Sequence, residues 1–170
     1  MLSYRHSYHA GNYADVLKHT ILIHILEHLK KKDKAFCYVD THAGAGAYSL
    51  QSEQAEKTQE YKQGIGELWQ RADLPACLQA YVEQIKQANK DDELRHYLGS
   101  PVIAQQRLRS QDRLKLYELH NTEIELLTDS MQSDRRVQIF HEDGFKHSLG
   151  LMPPQQRRGL VLIDPSYEIK

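Results

Sequence analysis

Residues 35–40, AFCYVD, form a short apolar run that ends on an acid, and THAGAGAY follows with no linker between them. An apolar run of this length reads as a buried strand. A strand that stops at a carboxylate and turns at once through glycines is how open, parallel α/β sheets begin. Glycine lets the backbone come close to a ligand at the strand's carboxyl end. The pair Gly44 and Gly46 lacks the third glycine of a dinucleotide fingerprint, so by itself it reads equally as a tight turn. What it constrains is the layout of everything around it.

Ahead of that switch, Val16, Leu17, Ile21, Ile25, Leu26 and Leu29 recur at helical spacing. They predict a helix over 13–32, opened by Asn12 or Asp15, with a lysine run at its negative end. Beyond it, residues 50–97 are polar and helical in pattern, with Leu68, Trp69, Leu78, Tyr81, Val82 and Ile85 as apolar positions. Ser100-Pro101 reads as an N-cap followed by proline at the first helical position, opening a helix to about residue 110. RLKLYEL then predicts a strand ending near Glu118, residues 122–132 a helix, and RVQIF a strand ending at Phe140. A short helix after HEDG and a last strand, GLVLID, ending at Asp164 complete the pattern. Four strands alternating with helices predict a doubly wound, mainly parallel α/β sheet. In such a sheet the acids Asp40, Glu118, Asp143 and Asp164 gather along one edge, around one cleft.

The second acid of a plain unit follows the glycine loop by about 20 residues. Asp40 and Glu118 are much further apart. The expected organisation is therefore a core of residues 1–49 and 98–170 interrupted by a small helical subdomain over 50–97. An open sheet of this class continues past its fourth strand, so the core is expected to be incomplete at its C-terminal end.

Composition narrows the function classes. The chain of 170 residues is 40% hydrophobic and 26% charged, which is ordinary for a globular domain. No apolar run approaches the roughly 20 residues of a membrane span, and the N-terminus lacks a secretion signal. Cys37 and Cys77 are far apart and in no metal-like spacing, which suits a reducing, cytoplasmic setting. A net charge of -1 does not advertise nucleic-acid binding. Local basic clusters stand at Lys30–Lys34, at Arg107, Arg109 and Arg113, at Arg135 and Arg136, and at Arg157 and Arg158, each reading first as a solvated face or helix end. His24 and His28 have a metal-like spacing but no third ligand, and read as solvated or packed. Tyr4, Tyr8 and Tyr13, with Arg5, His6 and His9, make either an RNA-stacking arm or a tail over the core.

Each strand end admits a bland and a chemical reading. Glu118 is an exposed strand terminus or an acceptor for a ribose diol. Asp143-Gly144 is a plain turn or a holder of an adenine edge. Asp164-Pro165-Ser166-Tyr167 is a turn before a helix, or two acceptors and an aromatic ring presented at one point. The chemical reading suits adenine N6, whose lone pair is delocalised into the ring. Accepting both of its N–H hydrogens favours a pyramidal nitrogen and exposes that pair to an electrophilic methyl. All four strand ends in this order are harder to obtain by chance than any one.

With those residues in view, the chain resembles the bacterial 23S ribosomal RNA adenine-N6 methyltransferases, a family also described as proteins for using external DNA as a nutrient. YRHSYHAGNYADVLKH, DTHAGAGAY, LGSP, Glu118, EDG and LIDPSY carry the resemblance, which runs over the whole chain. It implies a Rossmann-like class I methyltransferase fold with a helical insertion, S-adenosylmethionine as cofactor and no metal. It implies cofactor contacts at Lys18, His19, His42, Ser100, Glu118, Asp143, Gly144 and Asp164, with Tyr4 touching the RNA. Asp164 would be catalytic, with Pro165 supplying a carbonyl and Tyr167 stacking on the flipped base. The partner implied is 23S RNA, protein-free or precursor, met by a monomer. One departure matters: the family's Asp-Pro-Pro-Tyr has Ser166 in place of its second proline here, which implies a looser loop and slower turnover. Other readings stay open at this point: a DNA adenine methyltransferase, a non-catalytic nucleic-acid-binding module with a degenerate site, and a nucleotide-dependent oxidoreductase. The last leaves Asp164-Pro165-Ser166-Tyr167 unexplained.

Overall fold

The computed structural model describes residues 5–166. Its centre is a four-stranded parallel sheet built from β1 (Cys37–Asp40), β4 (Arg113–Tyr117), β5 (Val137–Phe140) and β6 (Gly159–Leu162), in the order β5-β4-β1-β6. Strand β1 pairs with β4 on one side, Tyr38 opposite Leu114, and with β6 on the other, Tyr38 opposite Leu160. The chain thus steps outward twice from β1 and then returns to its other side. That reversal leaves a crevice past the carboxyl ends of β1 and β6, where open sheets of this kind bind ligands. This is the mixed α/β architecture of a class I methyltransferase.

The expectation of four strands needs correction. Two more, β2 (Ala47–Ser49) and β3 (His96–Leu98), pair antiparallel as a separate ribbon. Each has three residues, too few for a period of two to be read. Between them lie α2 (Glu53–Thr58), α3 (Ile65–Leu68) and α4 (Ala76–Lys86).

Helix α1 (Tyr13–Lys30) begins at Asn12, whose side chain accepts from the Asp15 N–H. Its buried face is only partly the apolar stripe, of which Leu26 is buried and Val16 and Leu29 pack against the core. Asp15, His19, Leu22, Ile23 and Leu26 are buried, whereas Leu17 and Ile21 are exposed. The helix has turned two polar side chains inward because each finds a partner there, and burial of a satisfied polar group costs little. The remaining helices are α5 (Ser100–Arg107), α6 (Asn121–Met131) and α7 (Gly144–Ser148). Ser100 is not an N-cap. Gly99 holds that position without a side-chain cap, because the Ser100 hydroxyl donates instead to the buried Asp40. Helix α5 also stops at Arg107, short of the expected end, since Leu108 turns extended.

One face of the sheet (Tyr38, Leu114, Leu116, Val137, Ile139, Leu160 and Leu162) packs into the main apolar core with α1, α5 and α6. The other carries a smaller cluster of Cys37, Val39 and Tyr117, with Phe140, Leu151 and Val161 against it. The arginines of the basic clusters work mostly inside the fold. Arg109 grips the buried Asp112 and the carbonyls of Lys32 and Lys34. Arg136 pairs with Asp134, and Arg158 donates to the carbonyls of Lys34 and Leu29. Among the described residues no helix is long and apolar enough to cross a membrane.

Candidate active site

A cleft of about 320 Å³ opens where the carboxyl ends of the parallel strands meet α1 and the start of α5. Lys18, His19, His42, Ser100, Glu118, Asp143, Gly144, Asp164 and Pro165 all line it. Residues from the loops after all four parallel strands, from α1 and from the LGSP turn are therefore brought to one place. Tyr4 and Tyr167 lie outside the described residues.

Behind the cleft wall lies a fully buried, hydrogen-bonded carboxylate that faces inward. Asp40 was expected among the ligand-facing acids, but its acceptors are used by the protein. Tyr38 and Ser100 donate to Oδ2 at 2.8 and 2.6 Å, and the His42 N–H donates to Oδ1. Burial still holds its carboxyl above the ordinary range, against those donors and the Lys18 charge. Its role is to set the glycine loop. At Gly44, φ is +63° and a Cβ would lie 2.2 Å from the Tyr48 hydroxyl. Only glycine combines that conformation with that approach.

Glu118 also binds the loop. Oε2 accepts the Gly44 N–H at 2.7 Å, while Oε1 accepts the N–H groups of Leu119 and His120. A carboxylate has about four lone-pair sites, so one remains for a ligand. Asp143 caps α7 through the Lys146 N–H, which together with the Lys146 ammonium holds its carboxyl low. Gly144 beside it is buried, and a Cβ there would stand 2.3 Å from the Thr41 carbonyl. The loops after β1 and β5 thus touch backbone to backbone.

On the α1 side, a chain of charges crosses the cleft. The buried Asp15 accepts the Gly11 N–H at 2.8 Å, lies 2.9 Å from His6 Nε2, and pairs with Lys18 at 2.8 Å. Lys18 reaches on to Asp164 Oδ2 at 2.6 Å. Burial alone would raise the Asp15 carboxyl; His6 and Lys18 overcome it and hold it well below the usual range. Burial likewise opposes the Lys18 charge, and the two carboxylates reverse that and raise its pKa. Asp164 Oδ1 is left without a hydrogen bond among the described residues.

Sequence reasoning missed several walls of the cleft, including Thr41, Tyr48, Glu123 and Phe145. Glu123 is buried and its Oε2 has no partner among the described residues; burial and the neighbouring Glu118 push its carboxyl up. Nothing in a helical Asn-Thr-Glu marks it as anything but a solvated first turn. His6 belonged to the aromatic-rich start, but only the fold shows it meeting Asp15. His24 and His28 are exposed, and among the described residues no group of three or more metal-ligating side chains is gathered.

Residues 33–170 match the family model described as "Ribosomal RNA large subunit methyltransferase D, RlmJ". The chain is 55% identical over 170 residues to ribosomal RNA large subunit methyltransferase J of Escherichia coli (strain K12), covering all of this chain and 61% of that protein. It is 53% identical over 171 residues to the protein of the same name from Haemophilus influenzae (strain ATCC 51907 / DSM 11121 / KW20 / Rd), again covering 61% of it. The crystal structure of protein LPL1258 from Legionella pneumophila str. Philadelphia 1, family DUF519, superposes with a TM-score of 0.87 at 45% identity. That match covers 94% of this chain and 58% of the other. The chain thus spans about three-fifths of the length of the relatives it matches.

Proposed function

This chain belongs to the family described as ribosomal RNA large subunit methyltransferase D, RlmJ, and from that footing we propose that it transfers a methyl group from S-adenosylmethionine to N6 of an adenine in 23S ribosomal RNA. The observation that carries the reading is the meeting of Lys18, His42, Glu118, Asp143 and Asp164 in one cleft at the switch point of a parallel sheet. The family by itself implies a methyl donor of some kind. S-adenosylmethionine fits what lines the cleft: the spare acceptor on Glu118 suits a ribose hydroxyl, Asp143 an adenine amino group, and the glycine loop admits close approach.

When bound, that donor supplies an electrophilic methyl on a sulfonium. The chain's own residues then position the acceptor nitrogen. Lys18 holds one oxygen of Asp164 and leaves Oδ1 to accept one amino hydrogen. The Pro165 carbonyl accepts the other, and Tyr167 stacks on a base drawn out of its stack, which costs a few kcal/mol. Most of the rate comes from positioning, with little acid or base work. The substrate we propose is protein-free or precursor 23S RNA, met by a monomer in the cytoplasm with Tyr4 against the RNA. The same reading treats residues 50–97 as an inserted helical subdomain on a core of 1–49 and 98–170, supported by the β2–β3 ribbon at its neck.

Calorimetric titration with S-adenosylmethionine and, separately, with NAD(H) tests the reading. Binding of S-adenosylmethionine alone, at micromolar affinity, is the expected result. NAD(H) alone would make the cleft an oxidoreductase site, and neither would make the chain a degenerate module. Ser166 supplies a second test. Its hydroxyl is buried at the cleft wall with no partner among the described residues. Ser166→Pro removes that orphan and stiffens the loop, so turnover is expected to rise a fewfold; a variant no faster would count against the proposed role of this loop.

A further inference from the structure

The Tyr97 hydroxyl lies 2.7 Å from His19 Nδ1 and 3.0 Å from the Tyr81 hydroxyl. All three side chains are buried. Two hydrogen bonds are therefore shared out of water by two phenols and an imidazole, and the place left for the unshared proton decides between their two directions. Each phenol has one proton to give. The Tyr81 hydroxyl has no other partner among the described residues, so its proton is satisfied only by donation to Tyr97. Tyr97, having accepted, gives its own proton to His19 Nδ1. Either direction strands one proton: the reverse leaves it on the Tyr81 hydroxyl deep in the core, whereas this one leaves it on His19 at the cleft wall, where a ligand can accept it.

Nδ1 is then the lone-pair nitrogen of His19, and a neutral imidazole with its lone pair there carries its proton on Nε2. The ring is neutral, since burial pushes its pKa down to about 3 even with Asp15 nearby. It is also fixed in plane, stacked on Tyr97 with centroids 5.7 Å apart. Nε2 is buried, has no hydrogen-bond partner among the described residues, and belongs to a residue that lines the cleft. A buried N–H with no protein acceptor calls for one from outside the chain.

We propose that Tyr97, oriented in turn by Tyr81, is a positioning residue that holds His19 as its Nε2–H tautomer, so that the cleft presents a fixed neutral donor to an anionic oxygen of its ligand. Which oxygen that is rests on the reading of the cleft as a methyl-donor pocket: it is the carboxylate of the donor's amino-acid end. Elsewhere the walls carry Glu118, Glu123, Asp143 and Asp164, which repel an anion. Lys18 already serves two carboxylates. His19 is the donor whose proton no protein group uses.

Two measurements separate the relay from the ligand it serves. Long-range ¹H–¹⁵N spectra of the unliganded chain, with His19 assigned from a His19→Gln variant, read the tautomer directly. The expected pattern is a protonated Nε2 and a bare Nδ1, giving way to a mixture in Tyr97→Phe. A protonated Nδ1 in the unaltered chain overturns the relay whatever the cleft binds. Affinity is then measured for S-adenosylmethionine and for its decarboxylated analogue. Tyr97→Phe is expected to weaken the first about tenfold, the scale of one hydrogen bond to a charged group, and the second less than about twofold. Tyr81→Phe, which leaves the Tyr97 hydroxyl in place, is expected to show the same preference at smaller size. Equal weakening of both ligands by Tyr97→Phe would make its role one of packing and overturn the positioning claim. An unaltered chain that binds neither ligand would sink the methyl-donor reading, and the carboxylate assignment with it, while the spectra still decide the tautomer.

Discussion

Asp164→Ala is expected to lower methyl transfer by about 10²–10³-fold, the scale of losing one preorganised group that acts on the reacting atoms. Affinity for the methyl donor should fall by no more than about tenfold, the scale of one charge-assisted hydrogen bond. The split follows from the geometry. Asp164 stands at the mouth of the β6 loop with one oxygen held by Lys18 and the other without a hydrogen bond among the described residues, so on the proposed reading its loss removes an acceptor from the reacting amino group. It does not unseat Lys18, which keeps its 2.8 Å contact with the buried Asp15. The donor's remaining contacts, on Glu118, Asp143 and the glycine loop, sit on other strands. Transfer of a labelled methyl to protein-free 23S RNA, with calorimetry on the same preparation, measures both halves. Asp164→Asn keeps an acceptor oxygen and loses the charge that Lys18 grips, so it should fall between the two. An Asp164→Ala chain that still methylates would end the assignment of this loop to catalysis.

The site was more legible in the sequence than the shell that supports it. Glu118, Asp143 and Asp164 could be found because each is a local signal, a polar residue just past a short apolar run, and the parallel sheet carries all such positions to one edge. The same rule misplaced Asp40. A strand-end acid looks alike from the sequence whether it meets a ligand or a buried tyrosine, and Tyr38 and Ser100 are two and 60 residues away from it. The ribbon of β2 and β3 was invisible because its strands are too short to show a period. Helix α1 was placed correctly along the chain, and Val16, Leu26 and Leu29 of its apolar stripe reach the core, but two polar side chains share that face. A rule that sends apolar residues inward cannot foresee that Asp15 meets His6 and His19 meets Tyr97, while Leu17 and Ile21 stay outside. The same face brings Lys18 and His19 to the cleft wall.

Asp15→Ala is therefore expected to have the largest effect on folding of any single change near the site, about 3–5 kcal/mol, the cost of removing one partner from a buried ion pair. For a domain of this size that is a fall in melting temperature of roughly 6–20 °C. The carboxylate is 1% exposed and serves three donors at once: the Gly11 N–H, the His6 ring and the Lys18 ammonium. Its removal leaves Gly11 N–H without its acceptor and Lys18 with Asp164 alone. Acid should reveal the same group in the unaltered chain. Because the folded carboxyl titrates below its unfolded value, the stability it contributes is present above the unfolded value of about 3.9 and is lost as pH falls through the folded one. Thermal unfolding followed from pH 7 down to pH 3 should thus show a gap between the unaltered chain and Asp15→Ala that is wide near neutrality and begins to narrow only below about pH 4. A gap that stays constant with pH would mean that the packing of the side chain, and not its charge, ties α1 to the cleft. In that case Lys18 would reach Asp164 without help, and Asp15→Asn, which keeps the shape, would be as stable and as active as the unaltered chain.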